Sequence, residues 1–169
     1  MMLTDTFFKE KKILLIEHQL KDLSFVEDFK NLIDLNISEL SYKTNVKGKM
    51  TKWDTFVENK DFRKIILNSV DVIKHFSKNN VYCNNAWGNK LENNEDEVKP
   101  HHHIGPDIII SGILYLTEGG PGTYFNEFNK TVKEKIGKLV FFSPEAFHGV
   151  PKSNLTKTRY TLSFNLNKF

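Results

Sequence analysis

The chain has 169 residues, 39% of them hydrophobic and 27% charged, with a net charge of +3 at pH 7. That length suits one domain able to bury a core, and lysines scattered along the chain give no basic stripe of the kind that holds nucleic acid. The longest apolar run, Ile108 to Leu116, is too short to span a membrane, no secretory segment is visible after Met1-Met2-Leu3-Thr4-Asp5, and the lone Cys83 can close no internal disulfide, so a reducing cytoplasm is expected.

Lys12 to Ile16 reads as a short buried strand. Ser24 and Glu27 have the spacing of a capping box, which predicts a helix start, and Phe25, Phe29, Leu32 and Ile33 then form one apolar stripe. A second helix is predicted between Asp61 and Asn79-Asn80, with Phe62, Ile65, Ile66, Ile73 and Phe76 on its inner face. From residue 81 the pattern changes to strands. Val81 to Asn89 alternates, Glu92 to Lys99 reads as a polar loop, and Ile108 to Thr117 is apolar on both faces, as in a central strand. Residues 89–100 are read as a solvated loop in preference to a lid. Gly119-Gly120-Pro121-Gly122 predicts a turn before Thr123-Tyr124-Phe125, and Gly137 and Pro144 bracket a strand over Lys138 to Phe142.

Arg159 to Asn167 alternates, with Arg159, Thr161, Ser163 and Asn165 on one face and Tyr160, Leu162, Phe164 and Leu166 on the other. The expectation is an α+β chain, mainly β: one domain over 1–169, with helical support at about 20–80 and a jelly-roll or barrel at about 81–167.

Two features carry chemistry. His101 and His103, two apart on extended backbone, point to one face while His102 points away. Two imidazoles on a shared face, with His148 delivered from another strand, can form a facial metal set with open positions. The alternative is a polar surface run at 101–103 and a core histidine at 148. His18 and His75 fall in helical or near-helical segments without partners. The second feature is Arg159, one of two arginines among 24 basic residues. A rigid five-donor fork is used where a carboxylate must be gripped at two points, which lysine cannot do.

Trp87-Gly88-Asn89, His101 to His103, Ser111 to Leu116, His148-Gly149-Val150-Pro151 and the run from Arg159 to Asn165 together resemble the Fe(II)/2-oxoglutarate-dependent dioxygenases, in their prolyl-hydroxylase-like branch of bacteria and phages. The resemblance covers residues 81–167, with weaker support from Met50-Thr51-Lys52-Trp53. It implies a double-stranded β-helix with supporting N-terminal helices. Its implied metal ligands are His101, His103 and His148. Arg159 would bind the distal carboxylate of 2-oxoglutarate with Thr161 and Tyr115 as hydroxyl partners. Asn89 would border the co-substrate and Trp87 the substrate.

The implied reaction consumes 2-oxoglutarate and dioxygen at Fe(II), with ascorbate as an accessory reductant, and releases succinate and carbon dioxide as the substrate is hydroxylated. A peptidyl proline, in a peptide or protein, is the substrate the resemblance suggests. One departure stands out: most of the wider superfamily has a carboxylate as middle ligand, where this chain has His103. Asp107, reaching back from the following loop, is the alternative middle ligand. A cupin that uses the same barrel without 2-oxoglutarate, and a non-catalytic jelly-roll binding protein, are the rival readings.

Overall fold

In the computed structural model, residues 2–8, 11–37 and 44–169 are described, with side chains from residue 12 onward. Met1, Lys9, Glu10 and the part of the expected helical support at 38–43 lie outside the described residues. The chain forms two antiparallel sheets packed face to face, with helices on the outer face of the larger one.

The strands are β1 (Met2–Phe8), β2 (Lys11–Gln19), β3 (Val46–Lys47), β4 (Lys49–Met50), β5 (Val81–Leu91), β6 (Glu97–His101), β7 (Ile108–Tyr115), β8 (Thr123–Phe125), β9 (Lys130–Val132), β10 (Lys138–Phe142), β11 (His148–Val150) and β12 (Arg159–Lys168). The helices are α1 (Val26–Leu35), α2 (Lys60–Asn68) and α3 (Val70–Ile73). The larger sheet runs β1-β2-β10-β7-β12-β5-β4 and the smaller β3-β6-β11-β8-β9. This double sheet is the expected double-stranded β-helix.

Strand alternation sorts the apolar residues into two cores. Leu139, Phe141, Leu114, Leu162 and Phe164 face the helices, where Phe29, Ile33, Phe62 and Ile65 meet them. Val140, Phe142, Ile113 and Tyr115 face the smaller sheet, with Phe125 and Val132 opposite. The larger sheet is thus covered on both sides, which is why β7 and β10 carry no polar face. Where β7 and β12 pair, Phe164 lies across Gly112, and a Cβ there would fall 2.6 Å from Phe164 Cε2. Gly112→Ala is expected to lower stability by about 1–3 kcal/mol through overpacking, read as a lower urea midpoint at unchanged slope.

Several local expectations are corrected. The Ser24–Glu27 capping box does not form. Ser24 donates from N and Oγ to Asp22 Oδ1 at 3.0 and 2.7 Å, and α1 starts at Val26 without a side-chain cap. The nearer carboxylate captured the hydroxyl. The second helix is two helices. Asn59 caps α2 by accepting from the amides of Asp61 and Phe62, and the break falls at Ser69, whose hydroxyl donates to Ile65 O at 2.8 Å. Glu97 to Lys99 is strand, because Val98 finds cross-strand partners in Val46 and Val150, and only 92–96 turns, held by Asp96 Oδ2 accepting from the amides of Glu92 and Asn93. His18 lies on β2 opposite Leu139.

Candidate functional site

Sheet register assembles the site. β12 lies between β5 and β7, placing Thr161 beside Asn89 and Tyr115, Ser163 beside Trp87 and Ile113, and Asn165 beside Asn85 and Ser111. On the smaller sheet His148 of β11 is the direct partner of His101 on β6. His103 lies just past β6, held by its amide to Pro144 O at 2.9 Å, and its ring crosses to the larger sheet. The three histidines converge, each offering a ring nitrogen within 4.8 Å of the others. His102 is exposed and packs against Phe147. Asp107 is exposed and stands outside this cluster.

The hydrogen bonds assign the tautomers. Carbonyl oxygens only accept, so a ring nitrogen facing one carries the proton. Nδ1 of His101 donates to Lys99 O at 2.8 Å, Nδ1 of His148 to Ala146 O at 2.9 Å, and Nδ1 of His103 to Asn165 Oδ1 at 2.8 Å. Ser111 Oγ donates to the same Asn165 oxygen at 2.8 Å. Each neutral ring has one N–H, so all three Nε2 atoms are bare lone pairs. Those of His101 and His103 face each other at 3.0 Å. Such lone pairs repel unless a cation lies between them. Two nitrogens bound at right angles to one metal, each about 2.1 Å from it, stand about 3 Å apart. The residues therefore fit a metal ion.

Burial enforces the neutral state. It pushes His103 down to about 4, against the opposing hydrogen bond to Asn165 and helped by the nearby His101 and His102. Burial likewise lowers His101, and lowers His148 well below the ordinary range with the facing His103 and His101 adding to it.

Deeper between the sheets the same cavity is lined by Asn89, Thr123, Arg159, Thr161 and Ser163, with Val98, Ile113 and Val150 as apolar walls. Arg159 is buried; its Nε donates to Glu134, Nη2 approaches Thr123 Oγ1 at 3.5 Å, and the guanidinium stands 5.7 Å from the centre of the Tyr115 ring. Tyr115 sits behind the wall and gives its hydroxyl to Thr123 Oγ1 at 2.7 Å. Burial above all raises its pKa, so it stays a neutral donor. Asn89 donates to Ser163 Oγ at 3.0 Å, while its Oδ1 is buried with no partner among the described residues. Trp87 closes the metal end, 6.1 Å from the His103 ring and edge-on to Trp53. From there a wider groove opens past Ile104, Ile108 and the exposed edge of Trp53.

Sequence reasoning missed Thr123, Glu134 and the Ser111–Asn165 pair as parts of this site. Asn165 was legible, because it shares the alternating face of Arg159. Glu134 had no local signal.

Neither a protein-family model nor a curated protein sequence matches the chain. Solved structures match its fold. Against HygX of Streptomyces hygroscopicus, solved with nickel, 2-oxoglutarate and hygromycin B, the TM-score is 0.67 at 10% identity, covering 92% of this chain and 82% of that one. Against a Pseudomonas putida prolyl-4-hydroxylase it is 0.64 at 13% identity, covering 92% of each chain. A Trichoplax adhaerens prolyl hydroxylase in complex with a hypoxia-inducible-factor peptide fragment gives 0.63 at 14% identity, covering 92% and 83%. The chain therefore has the fold of the 2-oxoglutarate/iron(II) oxygenases, prolyl hydroxylases included, and holds within it a histidine triad consistent with an iron site.

Proposed function

We propose that this chain is an iron(II)- and 2-oxoglutarate-dependent hydroxylase. The observation that carries the reading is the trio of unprotonated Nε2 atoms opening into the same cavity as a buried arginine. His101, His103 and His148 would hold the metal, and Arg159 with Thr123 and Thr161 would take the distal carboxylate of the co-substrate. Bound iron supplies the activation of dioxygen that couples decarboxylation of 2-oxoglutarate, to succinate and carbon dioxide, with hydroxylation.

The chain's own residues position and exclude. Asn165 and Ser111 fix the His103 ring. The walls at Val98, Ile113 and Val150 keep water from the carboxylate end, where low polarity strengthens every charged hydrogen bond. Asn89 Oδ1 offers an acceptor still to be satisfied. Among the described residues, the groove at Trp53, Trp87, Ile104 and Ile108 has no acidic or lysine side chain in its wall, which suits an uncharged segment such as a peptidyl proline. That substrate follows the two prolyl hydroxylases of like fold.

One observation favours a second reading. Arg159 already has a protein carboxylate in Glu134 and so needs no co-substrate to pair its charge, which suits a cupin-type enzyme that uses no 2-oxoglutarate. Anaerobic titration of the protein with Fe(II) and then 2-oxoglutarate separates the two. A weak visible charge-transfer band and uncoupled formation of succinate in air are expected. Iron binding with neither signal would favour the cupin reading.

A further inference from the structure

The ion pair that favours the rival reading has a role in the proposed one. We infer that Glu134 is a positioning residue for co-substrate selection: it holds Arg159 by Nε from behind, so that the guanidinium presents its Nη edge to the cavity. The inference rests on the reading of that cavity as a 2-oxoglutarate pocket.

The two side chains are 3% and 1% exposed, so the pair is sealed from solvent. Arg159 lines the cavity between the sheets, but Glu134 does not. Glu134 instead borders a small outer recess with Gly120 and Thr158, which Arg159 also lines, so the two side chains meet on the side of Arg159 away from the cavity. Glu134 is itself pinned, because Gly122 N donates to Oε1 at 3.3 Å. With Nε anchored, Nη2 near Thr123 Oγ1 and one flank against Tyr115, the guanidinium plane is set, and its Nη edge has N–H groups to spare for a second carboxylate.

A further observation argues that this carboxylate does more than fill space. Among the described residues its Oε2 is buried with no hydrogen-bond partner, an arrangement that folding alone does not favour. A 2-oxoacid with one carboxylate would leave the outer edge of the buried fork unsatisfied.

Gly120 supplies an independent handle. A Cβ there would come within 2.8 Å of Glu134 Cδ and 2.9 Å of Oε1, so Gly120→Ala displaces the pinned carboxylate while leaving both partners in the chain.

The test measures binding of 2-oxoglutarate and of 2-oxopentanoate, which lacks the distal carboxylate, to nickel-loaded protein by anaerobic calorimetry. The wild type is expected to prefer 2-oxoglutarate. Glu134→Ala should lose about tenfold or more of that preference, with affinities for nickel and 2-oxopentanoate unchanged. Gly120→Ala should lose preference in the same direction. Glu134→Gln should retain it, because an amide oxygen accepts the same Nε–H. Wild-type preference in both Glu134→Ala and Gly120→Ala overturns the inference and leaves the function standing. So does a Glu134→Gln protein as unselective as Glu134→Ala. A nickel-loaded wild type that binds no 2-oxoglutarate overturns the proposed function, and this inference with it.

Discussion

Alanine at His148, at His101 or at His103 is expected to weaken metal binding by at least about a hundredfold, more than loss of a supporting residue typically costs. Each ring offers one lone pair already aimed inward, burial keeps each neutral, and among the described residues no further His, Cys, Asp or Glu joins the cluster. Replacement of the exposed His102 should leave metal affinity unchanged, because its ring packs on Phe147. Asp107→Ala should do the same. Asn165→Leu removes the acceptor that selects the His103 tautomer, and is expected to cost about ten- to a hundredfold. Titration with Fe(II), Co(II) or Ni(II), together with metal content after reconstitution, provides the measurement. Loss of metal in Asp107→Ala with retention in His103→Ala would make the carboxylate the middle ligand and refute the three-histidine assignment.

The second large effect is at Arg159. Hydrogen bonds to charged groups contribute about 1.5–3 kcal/mol each, and tenfold in affinity corresponds to about 1.4 kcal/mol. Arg159→Lys keeps the charge but loses the fork, so 2-oxoglutarate binding should weaken by about tenfold or more, and Arg159→Ala should weaken it further. Iron affinity should change little, because a guanidinium has no lone pair to offer a metal.

The structure adds a consequence for folding. Removing Arg159 strands the buried carboxylate of Glu134, so Arg159→Ala should also lose about 3–5 kcal/mol of stability. Replacing both residues with leucine should restore most of that stability without restoring co-substrate binding. Uncoupled turnover of 2-oxoglutarate and urea denaturation read the two effects separately. An Arg159→Ala protein with an unchanged Michaelis constant for 2-oxoglutarate would remove the arginine from the pocket's chemistry.

The sequence by itself determined whatever depends on local period and residue type. Alternation from Arg159 to Asn167 placed Arg159, Thr161, Ser163 and Asn165 on one face of a strand and Tyr160, Leu162, Phe164 and Leu166 on the other, because successive side chains in a strand point to opposite sides. The same rule paired His101 with His103 and set His102 outside. The apolar stripes of α1 and α2, the glycine turn before β8 and the bounds of β10 were equally local.

Tertiary structure decided what depends on partners far along the chain. Val98 is strand because Val46 and Val150 lie beside it, although its own neighbours in sequence are polar. Ser24 fails as a cap because a carboxylate two residues earlier takes its hydroxyl. Glu134 reaches Arg159 across 25 residues, and Asn165 reaches His103 across 62. Such contacts follow from sheet register and crossover, which bring together residues whose identities carry no trace of one another. Period-2 patterning says which face a side chain takes; only the packed sheets say what it meets there.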